Sequence, residues 1–448
     1  MTRICFIGGG SYNWMPKLLG DLALTPDLSG EIVLHDINES ALDDIQLYGR
    51  KVMAATGARF SIETTTQLEE GLQGAEFVVV TITTGGLDTM ALDIEIPKKY
   101  GIYQSVGDTV GPGGLSRALR NVPVMADIAR AMDRVCPDAW MLNLTNPMTV
   151  LTRVIGLVSN VKVVGLCHEL MGVRGALMRL FGGRVEDYEV RVAGVNHLIW
   201  LLDLKIRGQD GFRLLREHLS TGGSLPVLPD QGNWHDNFLD RWQVKMQLFD
   251  LYGALPAAGD RHLAEFFPYF LTPESDYGAE VGVGLTTIQN RKDQVAGARA
   301  RVREAIAGEL PRIERSPEAT ADIVSAVANG RYVRTIANLP NTGQIDNLPR
   351  GAVVETLAEL GAAGAAPLTV GALPLGVLST LQPHVVNQEL IAQASLTGDR
   401  QLALQALVND PLVGNLKTAR ALLDELLEAH ASYLPQFAAT ATRQPVAA

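Results

Sequence analysis

Two short stretches of this chain carry side chains that could hold a metal ion against a bound ligand. In Gly165-Leu166-Cys167-His168-Glu169 a thiol follows the apolar run at 161–164, which predicts a buried parallel strand ending just before it. Gly194-Val195-Asn196-His197-Leu198 supplies an imidazole about one αβ unit later. A thiolate from Cys167 and an imidazole from His197 would suit a soft-to-borderline divalent ion, with His168 and Glu169 as a supporting partner and an acid beside them. Each residue also has a plainer reading. A single cysteine is most often a small buried hydrophobe, and a single histidine is more often hydrogen-bonded than metallated. Position favours the metal: in open α/β sheets, ligands gather at the carboxyl ends of the strands.

The elements that must place these groups are legible upstream. Short β-branched runs alternate with helical patterns, which predicts an α/β fold with an N-terminal Rossmann-type parallel sheet. Strands are expected at Arg3–Ile7, Glu31–Asp36, Phe77–Thr83 and Trp140–Leu144, and a helix from Asn13 to Leu24. Right-handed crossovers would bring Gly8, Asp36, Thr83, Asn143 and Cys167 to one crevice. Gly8-x-Gly10-Ser11 lies between a strand and a helix, as a dinucleotide turn requires, although its third fingerprint position is Asn13 instead of glycine. Asp36 ends strand two, where a carboxylate favours NAD over NADP. The cofactor set is therefore Gly8, Gly10, Ser11, Asp36, Thr83 and Asn143, and the plainer alternative is the same sheet with no dinucleotide. The amides of Asn143 and Asn146, around Pro147, could meet sugar hydroxyls or a ribose, or simply cap a helix. Gly111-Pro112-Gly113-Gly114 opens a helix through Arg117 and Arg120 to Val135, whose N-terminus favours an anion or polar ligand.

Beyond residue 198 the pattern changes to a strand at Leu198–Ile206 and long helices at Leu285–Gly308 and Pro411–Tyr433. This predicts a C-terminal mixed α+β domain, so the chain divides into 1–197 for the dinucleotide, 198–437 for substrate and oligomerisation, and a flexible tail at 438–448. The 38 Lys and Arg against 49 Asp and Glu leave a net charge of −11, which argues against nucleic acid or an anionic membrane as partner. Three cysteines, Cys5, Cys136 and Cys167, cannot build a disulfide framework, so a cytoplasmic setting is expected. The N-terminus carries no signal-peptide pattern. Leu360–Pro383 holds no charge and is long enough to span a bilayer, but Pro367, Pro374, Pro383 and four glycines predict buried loops and short elements of a soluble domain instead.

Seven motifs occur in order. They are Ile7-Gly8-Gly9-Gly10-Ser11, Gly107-Asp108-Thr109-Val110-Gly111-Pro112-Gly113-Gly114, Asn143-x-x-Asn146-Pro147-Met148, Gly165-x-Cys167-His168 and Gly194-Val195-Asn196-His197. Asp260-Arg261-His262-x-x-Glu265-Phe266-Phe267-Pro268 and Asn347-Leu348-Pro349-x-x-Ala352-Val353-Val354-Glu355 complete the set. Together they resemble glycoside hydrolase family 4, the NAD- and divalent-metal-dependent glycosidases, over nearly the whole chain. The resemblance implies a redox-neutral route that departs from two-carboxylate hydrolysis. NAD+ takes a hydride from C3, a base removes the C2 proton, the C1 aglycone leaves, water adds, and NADH returns the hydride. A divalent metal, Mn2+ in the family, would be held by Cys167 and His197 and would stabilise the enolate charge.

The Cys167-His168 pairing is similar to the branch that takes non-phosphorylated α-galactosides, α-glucosides or uronides. Asn146, Glu169, Asn196, Arg261 and His262 are its expected sugar contacts. The tyrosine base of several members has no clear match; its place falls at Met246. His168, Lys245 and Tyr252 are the catalytic candidates, with Tyr269 and Tyr103 behind them. Lys245, Arg261 or Arg174 could serve an anionic C6 group, which keeps a sulfoquinovosidase of the same mechanism in view. A malate- or lactate-type dehydrogenase and a non-catalytic NAD-binding regulator are the contrasting classes. The family's members commonly form dimers or tetramers, so a homodimer or homotetramer is expected.

Overall fold

The structure is a computed structural model and describes residues 1–229 and 238–438. Its centre is one sheet of thirteen strands among the described residues. Six are parallel: β1 (Thr2–Ile7), β2 (Ser29–His35), β3 (Arg59–Thr65), β4 (Phe77–Val80), β5 (Trp140–Asn143) and β6 (Lys162–Gly165). They lie in the order β3-β2-β1-β4-β5-β6, the doubly wound arrangement of a dinucleotide fold. The crossover helices are α1 (Met15–Ala23), α2 (Glu39–Thr56), α3 (Leu68–Leu72), α4 (Gly86–Lys98), α5 (Gly111–Val135) and α6 (Met148–Val158), with α7 (Glu169–Phe181) leaving β6.

Strand residues alternate between two cores, as the two-residue repeat of a strand dictates. Ile4, Phe6, Phe77, Val79 and Leu142 face the side covered by α1 and α2. Cys5, Ile7, Val78, Val80 and Met141 face α5 and α6. Both faces are buried, which explains why β4 reads Phe-Val-Val-Val with no polar position. Deleting one large ring from such a core, as in Phe77→Ala, costs about 3–5 kcal/mol. Cys5 belongs to this packing, and burial pushes its thiol up to about 12.

The sheet then continues where the sequence suggested a separate mixed layer. The strand Tyr332–Pro340 pairs antiparallel with β6, and Val353–Gly361 pairs beside it. The hairpin β7 (Tyr188–Val195) and β8 (Leu198–Ile206) follows, with Leu255–Pro256 at the edge. The boundary at 197/198 therefore falls in the turn of the β7–β8 hairpin. Two strands separate β6 from β7, so the segments carrying Cys167 and His197 are not neighbours in the sheet.

One expectation is corrected. The uncharged stretch 360–383 contains a strand at Gly364–Pro367 and the start of a 23-residue helix, Leu375–Thr397. Pro374 stands at its N-cap, and Pro383 is carried within it. Counting prolines as breakers hid this helix, because a proline at the entrance leaves the hydrogen-bond ladder intact. No helix among the described residues is long and apolar enough to cross a membrane. The helices expected at 285–308 and 411–433 are present as Ile288–Ala307 and Leu416–Ala429. The tail from residue 439 lies outside the described residues.

Candidate active site

A cleft of about 980 Å³ runs along the carboxyl edge of the parallel strands. Ser11, the last residue of the glycine turn, lines one end. Gly8 has φ +91°, and a Cβ there would lie 2.4 Å from the Thr81 carbonyl oxygen. A Cβ on Gly9 would sit 2.8 Å from the Leu34 Cβ, and one on Gly10 would meet the Asp36 carboxylate at 2.9 Å. The tight packing of three consecutive glycines thus seats the turn between the ends of β2 and β4. Asp36 accepts from the backbone N–H of Gly10 (2.9 Å) and of Asn38 (3.0 Å), which fixes a carboxylate beside the turn. Ser11, Asn13 and Thr83 line the cleft, and Arg117 donates to the Thr83 hydroxyl at 2.9 Å.

Two expected polar contacts are engaged elsewhere. Asn143 is fully buried: its Oδ1 accepts from the Thr145 N–H at 2.9 Å and its Nδ2 reaches Thr152 at 3.3 Å, so it shapes the turn behind the cleft. The start of α5 already holds an anion, since the Asp410 carboxylate accepts from Gly111 and Gln104 accepts from Gly113. Asn146 does line the cleft, and its backbone carbonyl is held by Arg117 and Asn121.

Cys167, His168, Glu169, His197 and Asp108 line the other end. The two halves of this end are joined by one rung of the sheet. Gly165 of β6 stands opposite Asn338, Asn338 opposite Glu355, and Glu355 opposite Gly194 of β7. Asn338 donates to Glu355 at 2.9 Å across that rung, and Gly165 leaves room for it, since a Cβ there would lie 2.9 Å from the Asn338 Cβ. His197 occupies the hairpin turn with φ +66°, a strained region for a histidine, and Gly194 tolerates the close approach of the Leu198 carbonyl.

Asp108, His197 and His262 form a group whose possible ligand atoms lie within 4.8 Å of one another. The two imidazoles overlap with ring centroids 3.7 Å apart, and His197 Nδ1 is 2.8 Å from the Thr109 hydroxyl. Burial pushes His197 down to about 3, with His262 adding to the effect, so its ring is neutral and able to ligate. Burial opposes ionisation of Asp108, yet nearby positive charge, the Arg117 guanidinium foremost, holds it at about 2. The Cys167 thiol is pushed well above the usual range by burial and by Glu355, Glu169 and Glu318. Asp108, His197 and His262 offer one carboxylate and two imidazoles, a donor set that fits a divalent metal, whereas Cys167 lines the same end of the cleft outside that group. His168 stands apart from it: burial opposes its charge, but Glu318, with its Oε1 3.0 Å from Nδ1, lifts it to about 9.

Several sequence candidates are corrected. Lys245 is fully buried and donates to Asp240, Asp260 and the Ala258 carbonyl; although burial opposes it, the two aspartates raise its pKa, so it cannot serve as a base. Tyr252 packs against Trp200 and Phe267, away from the cleft. Tyr269 lies beside Phe267, and Tyr103 stacks on Tyr277 at 4.0 Å. Arg261 donates to the carbonyls of Gly284 and Ser105 and to Thr286, bracing the loop before Asp108. Arg174 contacts Met171. Asn196 is buried beside His197 but does not line the cleft. Glu169 lines the cleft while accepting from the Gly259 N–H at 2.6 Å.

The supports that sequence reasoning missed are Glu265, Glu318, Asn338 and Glu355. Glu265 accepts from Val106 and Gly107, each at 2.7 Å, and so sets the loop that carries Asp108; burial pushes its carboxyl up to about 8. Glu265 and Glu355 stood inside recognised motifs, which was the available signal; for Glu318 and Asn338 there was none.

The family model described as "Family 4 glycosyl hydrolase" matches residues 3–182, and that of the "Family 4 glycosyl hydrolase C-terminal domain" matches residues 192–413. An alpha-galacturonidase of Bacillus subtilis (strain 168) is 38% identical over 423 residues, covering 92% of this chain and 93% of its own. The structure of lplD from Bacillus subtilis superposes with a TM-score of 0.87 at 36% identity, over 95% of this chain and 100% of that one. A 6-phospho-alpha-glucosidase from gut microorganisms, in complex with NAD and Mn2+, shares the fold with a TM-score of 0.82 at 24% identity, over 97% and 99% of the two chains.

Proposed function

Because the chain belongs to family 4 of the glycosyl hydrolases, we propose that it cleaves α-linked uronides, galacturonides first, through oxidation at C3 and elimination across C1 and C2. The observation that carries this reading is the single cleft that runs from Ser11 and Thr83, beside the hydrogen bond from Gly10 to Asp36, to Cys167, His197 and Asp108. The 38% identity to an alpha-galacturonidase supports the uronide.

Bound in this cleft, NAD+ would supply a hydride acceptor and Mn2+ a Lewis acid. Asp36 would accept from the ribose hydroxyls, and the close backbone of Gly8 and Gly10 would admit the pyrophosphate. His197 would hold the metal together with Cys167, with Asp108 and His262 in reach; Asn146 would orient the sugar. His168 and Glu169, adjacent at the start of α7, are assigned the proton traffic. The charge that Glu318 maintains on His168 suits it to donate to a departing oxygen or to face the C6 carboxylate. A dehydrogenase of the malate type would need an arginine and histidine pair around a 2-hydroxy acid, and family membership speaks against it.

The test is a panel of p-nitrophenyl glycosides (galacturonide, glucuronide, galactoside, glucoside and sulfoquinovoside) assayed with NAD+, with and without Mn2+. The galacturonide should give the highest kcat/KM, and only with both additions. A preference for the sulfoquinovoside would replace the uronide with a sulfonated sugar at the same site. Hydrolysis that persists after NAD+ is stripped would sink the mechanism. We also propose a cytoplasmic homodimer or homotetramer; light scattering that returns the 48.2 kDa of one chain would contradict the oligomer.

A further inference from the structure

The helix Ile288–Ala307 lines the cleft together with Ser11–Trp14, the residues that follow the three glycines. Asn290, Gln294, Gly297, Arg301 and Ala305 line the cleft at spacings of three and four, so one face of the helix looks inward along its whole length. At 20 residues it extends about 30 Å, enough to run alongside an extended dinucleotide. The wall facing it includes Ser11, Tyr12, Asn13 and Trp14. A dinucleotide seated on the glycine turn would therefore lie between the sheet edge and this helix.

Two side chains of α2 tie the helix down. Asp44 Oδ2 accepts from the Tyr12 hydroxyl at 2.6 Å and from Arg303 Nε at 2.9 Å, and Arg299 approaches it at 3.9 Å. One carboxylate thus joins the residue after the glycine turn, α2 and the outer helix. The Arg299 guanidinium lies 5.6 Å from the Tyr12 ring centroid. Lys51 donates to the carbonyls of Ala305, Ile306 and Gly308, capping the same end of the helix from the next turns of α2. Core packing holds the rest through Ala298, Val302 and Ala305.

We propose that Asp44, with Tyr12, Arg299 and Arg303, clasps the Ile288–Ala307 helix over the cofactor, and that opening this clasp limits dinucleotide exchange. Asp44 is a positioning residue, since it acts through Tyr12 and the two arginines. The inference rests on the NAD reading above and deepens it. An enzyme that returns its hydride within each turnover has no need to release the dinucleotide, whereas an ordinary dehydrogenase must release it every cycle. A wall latched at three elements suits the first case.

The experiment loads the full chain with NAD+ and follows its release into an excess of a scavenging dehydrogenase. Asp44→Asn should speed release by roughly tenfold, the scale of about 1.4 kcal/mol. Arg303→Gln, on a side chain already half exposed, should speed it less, by roughly threefold, and guards against a folding defect at Asp44. Arg334→Gln, which breaks an exposed pair with Glu359 on the Tyr332–Pro340 strand, should leave release unchanged. Release rates that stay equal across Asp44→Asn, Arg303→Gln and wild type would overturn the clasp, as would an equal acceleration by Arg334→Gln. A wild-type chain that binds no NAD+ would instead overturn the cofactor reading beneath it.

Discussion

The two ends of the cleft are built by different means. The dinucleotide end is local: three glycines and Asp36 directly follow the neighbouring strands β1 and β2, and backbone N–H groups make the key contact. The end proposed for the sugar draws Asp108, His197 and His262 from three distant segments, with Cys167 lining it from a fourth. It needs a buried frame of Glu265, Glu318, Glu355, Asn338 and the Lys245 network to hold them. The first end is set by close packing of the chain against itself, the second by ionised and hydrogen-bonded groups placed in low dielectric. Damage should therefore spread differently: through the whole frame at the sugar end, and through one ligand's affinity at the other.

The largest expected effect strikes that frame. Lys245→Met leaves Asp240 and Asp260 buried without their cation, and should destabilise the protein by about 3–5 kcal/mol in urea unfolding. A loss below about 1 kcal/mol would mean the network is not the support described. Next, His197→Ala should lower kcat by on the order of 10²–10³ and weaken Mn2+ binding in titration calorimetry, leaving NAD+ affinity nearly untouched. If metal affinity survives while turnover falls, His197 contacts sugar instead of metal.

A pH effect of intermediate size comes from the packing behind this end. His384 stacks edge-on against Phe266 of the helix carrying His262, and burial pushes it down to about 4. Its folded pKa is below its ordinary 6.5, so the unfolded chain takes up the proton first. Stability is present above about pH 6.5 and is lost as the pH falls toward 4. His384→Leu should flatten that acid limb, by about 2 kcal/mol at pH 5; an unchanged limb would place the acid sensitivity elsewhere. The smallest effect belongs to the dinucleotide end. Asp36→Ala should raise the Kd for NAD+ about tenfold without altering the thermal midpoint much, and equal affinity would remove Asp36 from the ribose.

This contrast also explains what could be read from the sequence. The parallel half, its glycine turn and Asp36 follow from short patterns, because each strand–turn–helix unit carries its own signal. The sheet order that sets the Cys167 and His197 segments apart does not, because Tyr332–Pro340 and Val353–Gly361 slot between β6 and β7 from more than a hundred residues downstream. Residue type alone could not separate working cations from braced ones either. Lys245 and Arg261 looked like substrate contacts until their acceptors were seen, and Asn143 looked available until its amide was found closing its own turn. Conversely, Asp108 and Arg117 stood in or beside a recognised motif, and only the fold shows them facing the cleft.

The central claim is that the sugar is oxidised and eliminated within this cleft, not hydrolysed directly. Its most direct test is the product sugar formed from p-nitrophenyl galacturonide in D2O with NAD+ and Mn2+, examined by NMR. The mechanism predicts deuterium at C2 of the released sugar; product that retains protium at C2 would contradict it.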